Sequence, residues 1–207
     1  MTVVRGNEMD RLPLSALRPT QITVGMDYVE AKALITARYR DAELERFLRD
    51  HAINVVLGPG REPYVIDHHH WARAWFNLGF SDAPVTVVAD LSRLGYERFW
   101  KKMEANGWVH PFDENGKRCQ VNDLPLTIGD MIDDPYHSLA AFARRAGAYR
   151  KPKGAYGSFV WSDFLRVHVP MSGIGAGPFS LALLRAIKIA RSDAAAEMPG
   201  YISGKRR

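Results

Sequence analysis

Tyr64-Val65-Ile66-Asp67-His68-His69-His70-Trp71-Ala72-Arg73-Ala74-Trp75 passes from the pattern of a strand to that of a helix across Asp67–His70. Tyr64, Val65 and Ile66 are β-formers placed after the turn signal Gly58-Pro59-Gly60. Ala72, Ala74 and Leu78 then stand at helical spacing, with Gly79 as the stop. Asp67 and three consecutive histidines occupy the changeover. A helix start presents backbone N–H groups without intrahelical partners and the positive end of the helix dipole, which together favour an anion. Histidines there supply charge-assisted hydrogen bonds or move protons near neutral pH. The stretch therefore points to phosphate before it points to any reaction.

The flanking sequence builds an α/β unit around this turn. Leu12 to Gly25 reads as an extended opening segment with one or two short strands, because Pro13 and Pro19 argue against helix. Asp27 is placed to cap one long helix from Tyr28 to Asp50. Asn54 to Leu57 is a short strand, Trp71 to Leu78 a helix, and Ala83 to Asp90 a nearly continuous apolar strand. Beyond Leu91 the pattern becomes helical: Tyr96–Asn106, Tyr136–Ala146, Tyr156–Val169 and Phe179–Glu197. Gly173-Ile174-Gly175-Ala176-Gly177 precedes Pro178 and follows no strand, so it reads as a break and not as a dinucleotide fingerprint. The expected architecture is α+β: a compact mixed-sheet core over residues 10–90, with a mostly helical half over residues 91–207 packed on it and not independent.

Bulk properties narrow the class. With 207 residues, 46% hydrophobic and 25% charged, the chain is an ordinary globular protein long enough for one good core. A net charge of +5 favours anionic ligands mildly, but the basic groups are scattered as Lys101-Lys102, Arg144-Arg145 and Lys205-Arg206-Arg207, which read first as solvated surface. Cys119 is the sole cysteine, which excludes an internal disulfide and fits a cytoplasmic protein. No apolar run is long enough to span a membrane, and the first residues lack the apolar stretch of a signal peptide.

The motif Ile66-Asp67-His68-His69-His70-Trp71-Ala72-Arg73-Ala74 resembles the ParB/sulfiredoxin superfamily, in which a strand ends in Asp-Gly-His-His-Arg or Gly-Glu-Arg-Arg before an alanine-rich helix. The opening Leu12–Pro19 segment and the valine-rich strand at Val85–Val88 fit the same pattern. Leu17-Arg18-Pro19-Thr20-Gln21, Asp133-Asp134-Pro135-Tyr136 and Trp161-Ser162-Asp163-Phe164 look more closely like the bacterial ParB-like nucleases. The core resemblance spans about residues 10–90 and the looser one reaches about 167. It implies polyphosphate or phosphoester binding at the motif, and supports the site better than the reaction. Two positions depart from the pattern: His68 replaces glycine and Trp71 replaces arginine. The sulfiredoxin cysteine would fall at His69, which sets sulfinic acid reduction aside.

The candidate catalytic residues are Asp67, His69, His70 and Glu30, and the candidate ligand contacts are His68, Arg73, Lys32 and Gln21. Asp67 can orient a histidine, hold Mg²⁺ through water, act as a base, or merely cap the next helix. Glu30 and Lys32 join the site if the helix after Gly25 borders it, and otherwise form a solvated pair. Arg73 is the arginine remaining near the motif, and Gln21 stands in the opening segment where the free serine kinases of the superfamily would carry a carboxylate. Zinc held by a His68/His70 pair is the lesser alternative, because no spacing fixes a third ligand among His110, His137, His168 or an acidic residue. The expected chemistry is cleavage or transfer of a phosphoryl group. A nucleotide or other small phosphorylated ligand is favoured over nucleic acid, whose binding would be weak, salt-dependent and carried by the basic tail. A non-catalytic nucleotide- or DNA-binding module is the competing class.

Overall fold

A computed structural model describes residues 11–152, 157–171 and 176–204. The centre of the glycine-rich break and the basic tail 205–207 lie outside them.

Five short strands form a mixed sheet: β1 (Arg11–Pro13), β2 (Arg18–Pro19), β4 (Ile53–Leu57), β5 (Pro63–Asp67) and β6 (Asp82–Asp90), in the order β1-β6-β4-β5-β2. The outer pair β1/β6 and the inner pair β4/β5 are antiparallel, while β4/β6 and β2/β5 are parallel. Successive side chains of a strand face opposite ways. Val65 therefore packs into one apolar cluster and its neighbour Ile66 into another. The first cluster lies under α1 (Met26–Thr36), α2 (Asp41–Asp50) and α3 (His69–Asn77), the second under α4 (Tyr96–Ala105). Trp71, Trp75 and Trp100 are all buried in these clusters, so their bulk fills the interior.

The second half is helical, as its sequence predicts. α5 (Pro135–Arg145) packs on α6 (Gly157–His168) and α7 (Ala176–Ala190), and a third apolar cluster around Leu139, Trp161 and Leu165 holds them together. Among the ties between this half and the first, two border the site. The short β3 (Thr23–Val24) pairs in parallel with β7 (Ile132–Asp133), and α5 lies against α1. Gly25 makes the second contact feasible: a Cβ there would collide with Ser138 of α5. Together these elements form an α+β fold with seven α-helices among the described residues.

Three expectations need correction. The helix expected from Tyr28 to Asp50 is two helices, α1 and α2, separated at 37–40. Tyr39 stacks on Phe47 with ring centroids 4.4 Å apart. In an unbroken helix eight residues of rise would separate them by about 12 Å, so this contact requires the chain to turn. Asp27 does not cap α1. The cap comes from Asp133, whose Oδ1 accepts the Met26 N–H at 2.8 Å. The last helix stops at Ala190, followed by a 3₁₀ turn at Asp193–Ala195, and does not run to Glu197.

Candidate active site

Strand β5 delivers Asp67 to the sheet edge, and the chain turns into α3 through one residue, His68. His68 has φ +71° and ψ 24°, the left-handed region that favours glycine. Two bonds hold it there. Its N–H donates to Asp67 Oδ1 at 2.7 Å, and its Nδ1 lies 2.8 Å from the Ala52 carbonyl oxygen. The backbone thus holds a conformation that suits glycine while carrying a histidine.

The two following histidines face the opening segment. His69 Nε2 accepts the Thr20 N–H at 3.4 Å, and His70 Nε2 accepts the Gly25 N–H at 3.3 Å. A ring nitrogen that accepts from an amide is unprotonated. Burial, reinforced by nearby histidines, agrees with this: His69 is pushed down to about 3 and His70 well below its ordinary range. Both rings are neutral at physiological pH and fix the opening segment against α3. His68 and His70, the residues of the expected zinc pair, bond in different places: His68 Nδ1 at the Ala52 carbonyl and His70 Nε2 at the Gly25 N–H.

A cleft of about 300 Å³ opens beside this turn. Asp67, His68, His69 and His70 form its floor, and Gln21, Tyr28 and Lys32 one wall. The opposite wall belongs to the second half: His137, Arg144 and Arg145 of α5, then Lys151. Gln21 is buried and donates from Nε2 to the Thr23 carbonyl at 2.6 Å, which shapes the wall. Arg145 Nε donates to the Tyr28 hydroxyl at 3.0 Å, linking the two walls. His70 and His137 meet edge to face at 4.6 Å, and His137 is buried with an Nδ1 that has no hydrogen-bond partner among the described residues.

Lys32 stands apart from the other cations of the cleft. It is 6% exposed, and its Nζ lies 3.7 Å from the Trp71 ring centroid and 5.0 Å from that of Tyr28. No carboxylate among the described residues pairs with it. Burial, together with the charges of Arg145 and Arg144, pushes its ammonium down to about 7. Arg144, Arg145 and Lys151 likewise have no ion-pair partner among the described residues. Asp67 is the one carboxylate lining the cleft among these residues, and no group of three or more His, Cys, Asp or Glu side chains could hold a metal ion. The donor set is therefore cationic and does not form a ready-made magnesium or zinc site.

Two expected site residues lie elsewhere. Glu30 is exposed on α1 and does not line the cleft. Arg73 donates to the carbonyls of Ile128 and Met131 at 3.0 and 2.9 Å, fastening α3 to the 128–131 turn.

Comparison with known proteins places this arrangement in a family. A family profile described as "Putative ParB-like nuclease" matches residues 11–167. The chain belongs to the ParB-like nuclease family. The crystal structure of protein Atu1540 from Agrobacterium tumefaciens is similar over 96% of this chain and 100% of its own, at 35% identity and a TM-score of 0.83. No curated protein matches the chain. Every residue named on the cleft walls of this ParB-like protein falls within the matched span, from Gln21 to Lys151. The matched span also covers the α1–α5 contact, so the family profile embraces both walls. Among the described residues, no helix is long and apolar enough to cross a membrane.

Sequence reasoning did not bring Arg144, Arg145 and Lys151 to this cleft, and named His137 only as a possible third zinc ligand. The signal available was Arg144-Arg145 at the end of a helix, which reads equally well as a solvated last turn.

Proposed function

We propose that this ParB-like protein binds a phosphorylated ligand in the cleft at the Asp67–His70 turn and cleaves or transfers a phosphoryl group. One observation carries the reading: the permanent cations Arg144 and Arg145, with Lys151 and the amine of Lys32, meet the start of α3 across a small cleft where Asp67 is the one carboxylate among the described residues. Such a concentration of positive charge is costly without an anion to neutralise it. Arginines on the α5 wall clamp phosphate oxygens and stabilise charge that develops in the transition state. Asp67 is the group placed to accept a proton from an attacking hydroxyl or water. His69 and His70 act as positioning residues, because their Nε2 atoms are already engaged by backbone N–H groups. The substrate is a nucleotide or a nucleic acid, and the family description favours nuclease chemistry.

The test is turnover of nucleotides and short DNA by the full chain, with phosphate release and strand cleavage as readouts. Arg144→Ala should weaken binding or turnover by about 10- to 100-fold, the loss of a charge-assisted bond worth roughly 1.5–3 kcal/mol. Asp67→Asn should lower turnover more than binding. Unchanged binding in a folded Arg144→Ala protein would remove the basis of the proposal.

A further inference from the structure

Resting on that reading, we infer that the cleft selects a terminal phosphate, as a monoester dianion, over an internal phosphodiester, and that Lys32 takes up a proton as this phosphate enters. Three features of the cleft lead here. Its volume, about 300 Å³, is at the small end for ligand pockets. It suits a chain end or a mononucleotide better than a strand that must pass in and out. The charge balance of its walls also favours a dianion: Arg144, Arg145 and Lys151, joined by Lys32 once it is protonated, face Asp67 as the one carboxylate among the described residues, and a diester brings one negative charge where a monoester brings two. The deepest groups also lack partners. Lys32 Nζ sits on the Trp71 ring without a carboxylate, and His137 Nδ1 is buried unpaired. A terminal phosphate offers three non-bridging oxygens, a diester two.

The groups packed around Lys32 identify it as the proton acceptor. Tyr28, on its own helix, receives a hydrogen bond from Arg145. From α3, His70 has its Nε2 occupied by the Gly25 amide, and His69 its Nε2 by Thr20. From α5, Arg144 and Arg145 are permanent cations, and their repulsion together with burial lowers the lysine to about 7. His137, also on α5, is pushed down to about 3, and Asp67 lies on the floor beside His68. Two phosphate charges reverse the field that Arg144 and Arg145 impose, so the amine of Lys32 binds a solvent proton and becomes an ammonium.

Calorimetry on the full chain tests this. The probes are phenyl phosphate, methyl phenyl phosphate, inorganic phosphate, a mononucleotide, and a short oligonucleotide with a 5′-phosphate or a 5′-hydroxyl. Titrations at pH 7.5 in two buffers of different ionisation heat count the protons taken up. Phenyl phosphate should bind at least tenfold more tightly than methyl phenyl phosphate, and the 5′-phosphorylated oligonucleotide more tightly than its 5′-hydroxyl form. The ranking of mononucleotide against oligonucleotide end then identifies the source of the phosphate. Proton uptake should exceed that of Lys32→Arg, whose guanidinium stays charged, and Lys32→Met should lose at least tenfold in affinity. If Lys32→Arg does not fold, the wild-type affinity for phenyl phosphate serves instead, and should fall as pH rises from 7 to 9. A diester bound as tightly as the monoester, equal proton uptake in Lys32→Arg, or a flat pH profile would overturn the inference and leave the phosphate site standing. Failure of every phosphate probe, inorganic phosphate included, would remove the site itself.

Discussion

His68 adopts a backbone conformation with φ +71° that costs an L-residue roughly 1–2 kcal/mol, and its ring offsets part of this by bonding the Ala52 carbonyl. The two contributions separate by substitution. His68→Gly and His68→Ala both delete the ring bond, but only glycine relieves the positive φ. Urea denaturation should find the alanine variant less stable than the glycine variant by about 1 kcal/mol. Equal stabilities would mean that the turn relaxes and the conformation is not enforced. The special status of this residue was legible in the sequence, since glycine is the superfamily's usual residue there. What could not be read was the direction of the next two rings. Consecutive histidines look like a catalytic cluster, yet His69 and His70 are turned to Thr20 and Gly25. Those partners lie 49 and 45 residues earlier, beyond any local pattern.

At the scale of elements, α1 depends on a residue far along the chain. The Met26 N–H at its start is satisfied by Asp133, 107 residues away, and not by Asp27 in its first turn. Asp133→Ala should cost about 1 kcal/mol in chemical denaturation, the usual loss of an N-cap. Asp27→Ala should cost less than half of that, because only a dipole interaction is removed. A larger loss for Asp27→Ala would restore the local cap. The strand-to-helix change at Asp67–His70 and the apolar β6 follow from nearest-neighbour patterns, and the sequence predicts them. The break between α1 and α2 does not, because helical spacing continues through Tyr39 and Leu44. What ends α1 is the stacking of Tyr39 on Phe47, together with Thr36, whose hydroxyl donates to the Lys32 carbonyl and accepts the Trp75 indole N–H.

For the whole molecule, the buried histidines set the acid limit. His69, His110 and His137 are pushed down to about 3 and His70 well below its ordinary value, with burial the main cause in each. The unfolded chain titrates its histidines near 6.5, so below that pH it binds more protons than the folded chain. Stability is therefore fully present above pH 6.5 and is lost progressively as pH falls toward 3. Each such histidine forfeits about 2 kcal/mol by pH 5, and a domain of this size has about 5–15 kcal/mol to lose. The urea midpoint should drop steeply between pH 7 and 5, with acid unfolding complete above pH 4. A midpoint unchanged down to pH 5 would show that these rings are solvated. The site as a whole was half legible for a related reason: its floor is contiguous in sequence, whereas its second wall arrives only when α5 packs on α1. Arg144 and Arg145 acquire their meaning from that contact.

Lys32 has a consequence for how such a protein changes over generations. Because the folded chain lowers this ammonium to about 7, so that it is only partly charged at neutral pH, while the unfolded chain lets it charge freely, the residue weakens the fold at ordinary pH. Methionine or leucine fits the same space between Trp71 and Tyr28 without that burden. Selection for folding alone favours such a replacement. A lineage that keeps the lysine is being selected for something other than a stable fold, and one that has shed the cleft's task is free to discard it.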